Sequence, residues 1–346
     1  MKNLKAIAAA TLAVALSFSL VACSSSAASS TTTSTDVAED VVEDAVEEVE
    51  EVGAAALGFG LIGAAGSGEG SATANTTVAA VLVDEAGAII DVKIDVAQCY
   101  VYSEAGVWSA PETYLTKMEL ADDYGMGDYS TLEAGEWYQQ QTYFMSYVIG
   151  MTADEVAAIG IEENYPTDED LLAGCTIKIT DYVGAVLLAM ENATEYNCTV
   201  EDTLSLAIDT PVATGTDAAD EDGKVSLTTT IAALVVSTEG IVNDVYIDAT
   251  QPSFTNTADD VITGAGEVLS KQQKEYDYGM LAYSTLEAGE WFEQQAYFMA
   301  YVVGMEASEL GNIEYDEDTH AVDADLLAGC TIKINSYVEL LAKAVG

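Results

Sequence analysis

Apolar positions alternate at the start of each half of the chain and then take up helical spacing. Residues 78–83 and 89–96 are rich in β-branched side chains and flank Asp84-Glu85-Ala86-Gly87, a turn whose glycine accepts a positive φ. The same plan returns at 228–236 and 241–247, joined through Gly240. Further on, Trp137, Gln141, Phe144, Val148 and Met151 fall at steps of 4, 3, 4 and 3, which is one face of a helix. Trp291, Gln295, Phe298, Val302 and Met305 repeat that face. Ser130-x-x-Glu133 reads as a capping box ahead of the helix, and Thr152-x-x-Glu155 predicts a further helical turn. Final helices are predicted over 182–190 and 337–345. The pattern predicts an α+β fold: two tandem homologous domains, each a small antiparallel sheet with helices packed on one side.

The duplication is explicit in one decapeptide. Residues 170–179, Asp-Leu-Leu-Ala-Gly-Cys-Thr-Ile-Lys-Ile, recur without change at 325–334. Trp137 and Trp291 lie 154 residues apart, and Lys117 matches Lys271 at the same offset. Upstream, Asp91-Val92-Lys93-Ile94-Asp95 matches Asp244-Val245-Tyr246-Ile247-Asp248. Each unit, 72–197 and 225–346, is long enough to hold its own core. Residues 198–224 between them carry Pro211, Gly215 and an acidic cluster and read as a linker.

Residues 1–22 have the form of a lipoprotein signal. Lys2 and Lys5 precede a short apolar run, and Leu20-Val21-Ala22 leads into Cys23. Cleavage before Cys23 and lipidation there are expected, with the protein held by its lipid on the extracytoplasmic face of the cell membrane. Residues 23–71 read as a lipidated cysteine and stalk: a Ser/Thr/Ala run, an acidic run at 36–51, and a Gly/Ala-rich stretch at 53–70. The formal charge of −49, with no arginine, makes nucleic acid a poor partner.

Few residues offer catalytic chemistry, and the chain does not read as an enzyme. His320 is the one histidine, so neither a Ser-His-Asp nor a Cys-His set can be assembled, and no zinc constellation exists. Cys175 and Cys330 are equivalent. They read either as a bridge between the units or as buried thiols, while Cys99 and Cys198 are available to pair with each other. Gln141 and Gln295 interrupt an apolar face and need partners, either nearby backbone such as the decapeptide loop or a ligand. Within the decapeptide, Gly174 permits a tight or left-handed turn, Thr176 presents a hydroxyl and Lys178 a cation. That set suits either a phosphate group or a locally bonded turn.

Asp170-x-x-Ala173-Gly174-Cys175-Thr176 and Asp325-x-x-Ala328-Gly329-Cys330-Thr331 resemble the flavinylation motif D-x-x-[ST]-G-A-T of the bacterial FMN-binding domain, found in Rnf and Nqr electron-transport subunits and in surface lipoproteins. Ala173 and Ala328 stand where that family has Ser or Thr, and Cys175 and Cys330 where it has Ala. The resemblance implies FMN joined through its phosphate to the hydroxyls of Thr176 and Thr331, with Asp170, Gly174, Asp325 and Gly329 shaping the loops. It implies a flavin transferase and a membrane reductase as partners, and an electron carrier as the function. The alternative is a non-redox tandem-repeat surface lipoprotein that binds a ligand or acts as a spacer.

Overall fold

The computed structural model describes residues 52–111, 114–211, 214–219, 221–264 and 266–346; the expected leader, Cys23 and the segment 24–51 lie outside the described residues. Strand β1 (Ala54–Gly68) pairs along its length with β2 (Ser71–Asp84), which pairs with β3 (Ile89–Glu104), which turns back into β4 (Val107–Ser109). Helices α1 (Lys117–Leu120), α2 (Trp137–Val148) and α3 (Ala153–Ala157) follow. A ribbon of β5 (Ile161–Glu162) and β6 (Tyr165–Pro166) leads into α4 (Glu169–Leu172) and α5 (Thr180–Asn192).

The stretch 53–70 is therefore not part of a stalk. Its glycines serve close packing. A Cβ on Gly58 would run into the carbonyl oxygen of Ala189, and one on Gly60 into that of Ala185, both on α5. Only glycine lets the helix backbone lie this close to the strand. The same small-residue composition that resembles a spacer is here the signature of a tight strand–helix contact.

The second half begins earlier than expected too. β7 (Cys198–Thr199) pairs with the start of β1, and β8 (Thr203–Asp209) and β9 (Thr214–Thr216) fall inside the expected linker. β10 (Gly223–Ser226), β11 (Thr229–Val236), β12 (Val242–Thr250), β13 (Ser253–Asn256), β14 (Ile262–Thr263) and β15 (Gly266–Val268) come next. Helices α6 (Lys271–Lys274), α7 (Trp291–Val302), α8 (Ala324–Leu327) and α9 (Asn335–Val345) complete the chain. One sheet has the order β15-β1-β2-β3-β4 with β7 also on β1; two more are β12-β11-β8 and β14-β13-β10-β9, and β5-β6 is a separate two-stranded ribbon, all antiparallel. Pro252 falls where β12 gives way to β13, and Pro211 follows β8. Proline has no N–H for the ladder, so strands that run unbroken in the first half are split in the second.

Alternation along the strands sorts residues into layers. Leu57, Phe59, Val78, Ala80 and Leu82 meet Leu204, Ile208, Ile231, Ala233 and Val235 in a core shared by two sheets. On the outer faces, Val81 and Ile94 meet Phe144, Val183 and Val186, while Leu234 and Ile247 meet Phe298, Val338 and Leu341. The order is helices, sheet, sheet, helices. The fold is mixed α and β with antiparallel sheets. The β1–β4 sheet and the β8–β11–β12 sheet each carry helices on one face and meet the shared core with the other; the β9–β10–β13–β14 sheet adds Val225, Phe254 and Ile262 to that core and, among the described residues, has no helix on it.

Helix α2 starts later than its expected cap. The Glu136 amide donates to Gln139 Oε1 (3.0 Å), and the Glu136 carboxylate accepts from Met126 N (2.9 Å) and Gly127 N (2.8 Å). Ser130 accepts from Leu132 N (3.2 Å), within the preceding loop, so the Ser130/Glu133 box does not form. The Thr152/Glu155 box does form and caps α3.

Candidate functional site: the decapeptide turns and the lysine cleft

Each decapeptide begins inside a short helix and ends at the start of a long one. Asp168 caps α4 by accepting from Asp170 N (2.9 Å) and Leu171 N (3.2 Å), and Asp323 does the same for Asp325 and Leu326. Asp170 and Asp325 contribute their backbone: each carbonyl accepts a tyrosine hydroxyl, from Tyr143 and Tyr297, at 3.0 Å. The same tyrosines account for the glycines. A Cβ on Gly174 would enter the Tyr143 ring, and one on Gly329 the Tyr297 ring. Neither glycine is left-handed, so the expected reason for glycine is replaced by a ring packed on a bare backbone.

The turn's amides are already bonded. Gly174 N (3.2 Å) and Cys175 N (2.9 Å) donate to Leu171 O. Thr176 N and Thr176 Oγ1 both donate to Gln140 Oε1, at 2.8 and 3.0 Å. Gln140 Nε2 in turn donates to Gly135 O at 2.8 Å. The second half repeats this with Gln294: Thr331 N (2.8 Å), Thr331 Oγ1 (3.1 Å) and Gly289 O (2.9 Å). No cluster of free amides faces a ligand here. The Thr176 hydroxyl spends its proton on Gln140 and keeps its lone pairs.

Thr176 lines a cleft of about 440 Å³ together with Lys178, Lys117, Tyr124, Trp137 and Tyr165. A second hollow of about 330 Å³ shares Lys117, Lys178 and Tyr182 with it and adds Asn75, Gln98 and Asn164. Lys117 Nζ stands 5.1 Å from the centroid of Tyr124 and 5.4 Å from that of Trp137, and Lys178 Nζ 5.8 Å from that of Tyr165. Trp137 Nε1 donates to Tyr182 Oη at 2.9 Å, fixing the back wall. Two of the chain's ten lysines thus meet at one hollow in a protein of charge −49. In the second half Lys271 lies 5.2 Å from Tyr278 and 5.3 Å from Trp291, and Trp291 bonds Tyr337 at 3.0 Å.

Half-buried Asp95 and buried Asp248 tie down the turns that carry Lys117 and Lys271. Burial pushes the Asp95 and Asp248 carboxyls up to about 6, against lowering by hydrogen bonds from the α1 and α6 caps. Asp95 accepts from Met118 N, and Asp248 from Gln272 N, both at 3.1 Å, tying the turn that carries Lys117 or Lys271 to the sheet. Burial lowers the Lys271 ammonium to about 8, and the nearby Asp248 charge opposes it.

Other candidates separate from this site. Cys175 and Cys330 are fully buried and free, their thiols pushed up to about 11 by burial, and Cys99 and Cys198 are also buried and unbridged. His320 lies beside the second decapeptide, its backbone paired with Lys333 and its ring 3.9 Å from Asp316. Gln141 and Gln295 are fully buried, and neither amide atom of either has a hydrogen-bond partner among the described residues. The glutamine that reaches the decapeptide is the preceding one, Gln140 or Gln294. Sequence reasoning missed it because both neighbours sit on the buried side of the helix; the identity of the Gln-Gln pair in both halves was the available signal. No family model matches the sequence, and no curated protein or solved structure matches it.

Proposed function

We propose that the chain is an extracytoplasmic lipoprotein, anchored through Cys23, built from two homologous copies of one module, and that each module carries FMN bound through its phosphate at Thr176 or Thr331. The protein would act as an electron carrier rather than an enzyme, loaded by a flavin transferase and reduced by a membrane reductase. The observation that carries this reading is the Thr176 hydroxyl, oriented by Gln140 at a cleft with two lysines and aromatic walls. Lys117 and Lys178 supply the positive charge a phosphate needs in so acidic a chain. Trp137, Tyr124 and Tyr165 offer flat apolar surface to a ring system. Gln140 Oε1 holds the hydroxyl proton and orients the oxygen. When bound, FMN supplies the redox chemistry.

A second reading has its own support. Gln140 already satisfies both polar groups of Thr176, so the turn is closed without any ligand. On that reading the decapeptides are structural and the protein is a non-redox binding or spacer module. Intact mass and visible absorption of residues 24–346, coexpressed with a flavin transferase, separate the two. Two added FMN groups, one lost in Thr176→Ala and the other in Thr331→Ala, support the carrier. A colourless chain of unmodified mass removes it.

A further inference from the structure

A cavity lies between β1 with the end of α5 on one side and β12 with α7 on the other, at the strand position where the first half supplies its own cation. The cavity, about 430 Å³, is lined by Leu57, Phe59, Glu195, Asp244, Tyr246 and Met299. Its aromatic wall is Tyr246 stacked on Phe59, with centroids 4.5 Å apart and planes 25° apart. Asp244 accepts one hydrogen bond, from Val245 N at 2.8 Å. Burial, and next the charge of Glu195, push the Asp244 carboxyl up. Among the described residues no lysine or histidine pairs with Asp244 or Glu195.

The matched strand in the first half shows what is missing. Val92 N donates to Asp91 Oδ1 at 2.7 Å, as Val245 N does to Asp244. Ile94 N lies 3.2 Å from Met145 Sδ, and Ile247 N 3.1 Å from Met299 Sδ. The backbone settings agree, and the intervening residue differs. Lys93 places its ammonium on both oxygens of Asp91, at 2.9 and 3.0 Å. Tyr246 stands in that place in the second half, with a ring and no charge.

We infer that this cavity binds a small primary ammonium compound with an apolar body, its ammonium on Asp244 as Lys93 sits on Asp91 and its apolar part against Tyr246 and Phe59. The chemistry selects this class. A carboxylate short of a cation, beside a second carboxylate, favours positive charge. The adjoining aromatic faces attract an ammonium and shelter hydrocarbon. Among the described residues no third Asp, Glu, His or Cys joins Asp244 and Glu195 in a metal-holding group, so a hard divalent ion is not the favoured occupant. The inference does not depend on flavin binding.

The test is titration of residues 24–346 with phenethylammonium in physiological salt, read by calorimetry and by NMR shifts, with 2-phenylethanol as the neutral analogue. Saturable binding at one site is expected, with none for the alcohol. Asp244→Asn lowers affinity roughly 10- to 100-fold, the worth of a hydrogen bond to a charged group. Tyr246→Lys abolishes binding by restoring the internal cation, while Asp91→Asn leaves it unchanged. Glu195 is exposed, so Glu195→Gln keeps the fold whatever the other variants do, and it must still weaken binding. No saturable binding, equal binding of the alcohol, or affinity indifferent to both Asp244→Asn and Glu195→Gln overturns the inference.

Discussion

Replacing Gln141 with methionine is expected to stabilise the protein, and replacing its neighbour Gln140 with methionine to destabilise it. Both side chains are fully buried on the same helix. They differ in what they bond. Gln141 places an amide nitrogen and oxygen in the interior with no partner. Methionine fills a similar volume without those polar atoms, so relief of desolvation is worth roughly 1–3 kcal/mol. Gln140 accepts from Thr176 N and Oγ1 and donates to Gly135 O. Losing it strands those groups, some of them half-buried, at a cost of roughly 2–4 kcal/mol. Gln295 and Gln294 should repeat the pair of opposite signs. Urea unfolding followed by circular dichroism at fixed pH reads the shift in midpoint for each of the four variants. If Gln141→Met falls to a lower midpoint alongside Gln140→Met, the amide has partners in solution and the reasoning fails.

Three other perturbations probe the same structure. The Asp248 carboxyl is raised from its ordinary 3.8 to about 6 by burial, so its contribution is fully present below pH 3.8 and lost as pH rises through 6, up to about 3 kcal/mol. The thermal midpoint should therefore rise from pH 7.5 to 5, with a shallower slope in Asp248→Asn; equal slopes in both proteins would contradict the buried carboxyl. Gly58→Ala or Gly60→Ala forces a methyl against α5 carbonyls and should cost roughly 1–3 kcal/mol, where a solvated stalk would tolerate either change without effect. Gly174→Ala should lower the unfolding midpoint by collision with Tyr143, and Tyr143→Ala in the same chain should recover part of the loss; no recovery would show that the ring is not the obstacle.

The elements that the sequence made legible are those whose signal is local. Trp137, Phe144 and Val148 mark the α2 face because 3.6-residue spacing is a property of neighbours along the chain, and all three are buried. The hairpin of β2 and β3 follows from two β-rich runs and a turn, and the decapeptide from plain identity of 170–179 and 325–334. What was missed depends on partners distant in sequence. The Gly/Ala run of β1 looks like a spacer until Ala185 and Ala189 are laid against it. The short alternation Leu204, Leu206, Ile208 looks like a linker until β11 pairs with it. The candidate site divides in the same way. Thr176 and Thr331 stood out through repetition, but which glutamine holds them, and that Lys117 meets Lys178 over aromatic rings, depend on how α1, α2 and α4 dock.

By itself the sequence determined the periodicities, the duplicated plan and the acidic charge, because each is carried by residue identity and short spacing. Only the tertiary structure decided that two sheets share a core, that glycine at 58 and 174 answers a neighbour rather than a turn, and that Asp244 lacks, among the described residues, the cation Asp91 has. Those outcomes come from steric exclusion and from the satisfaction of buried polar groups, and both are set by atoms that the chain brings together only when it folds.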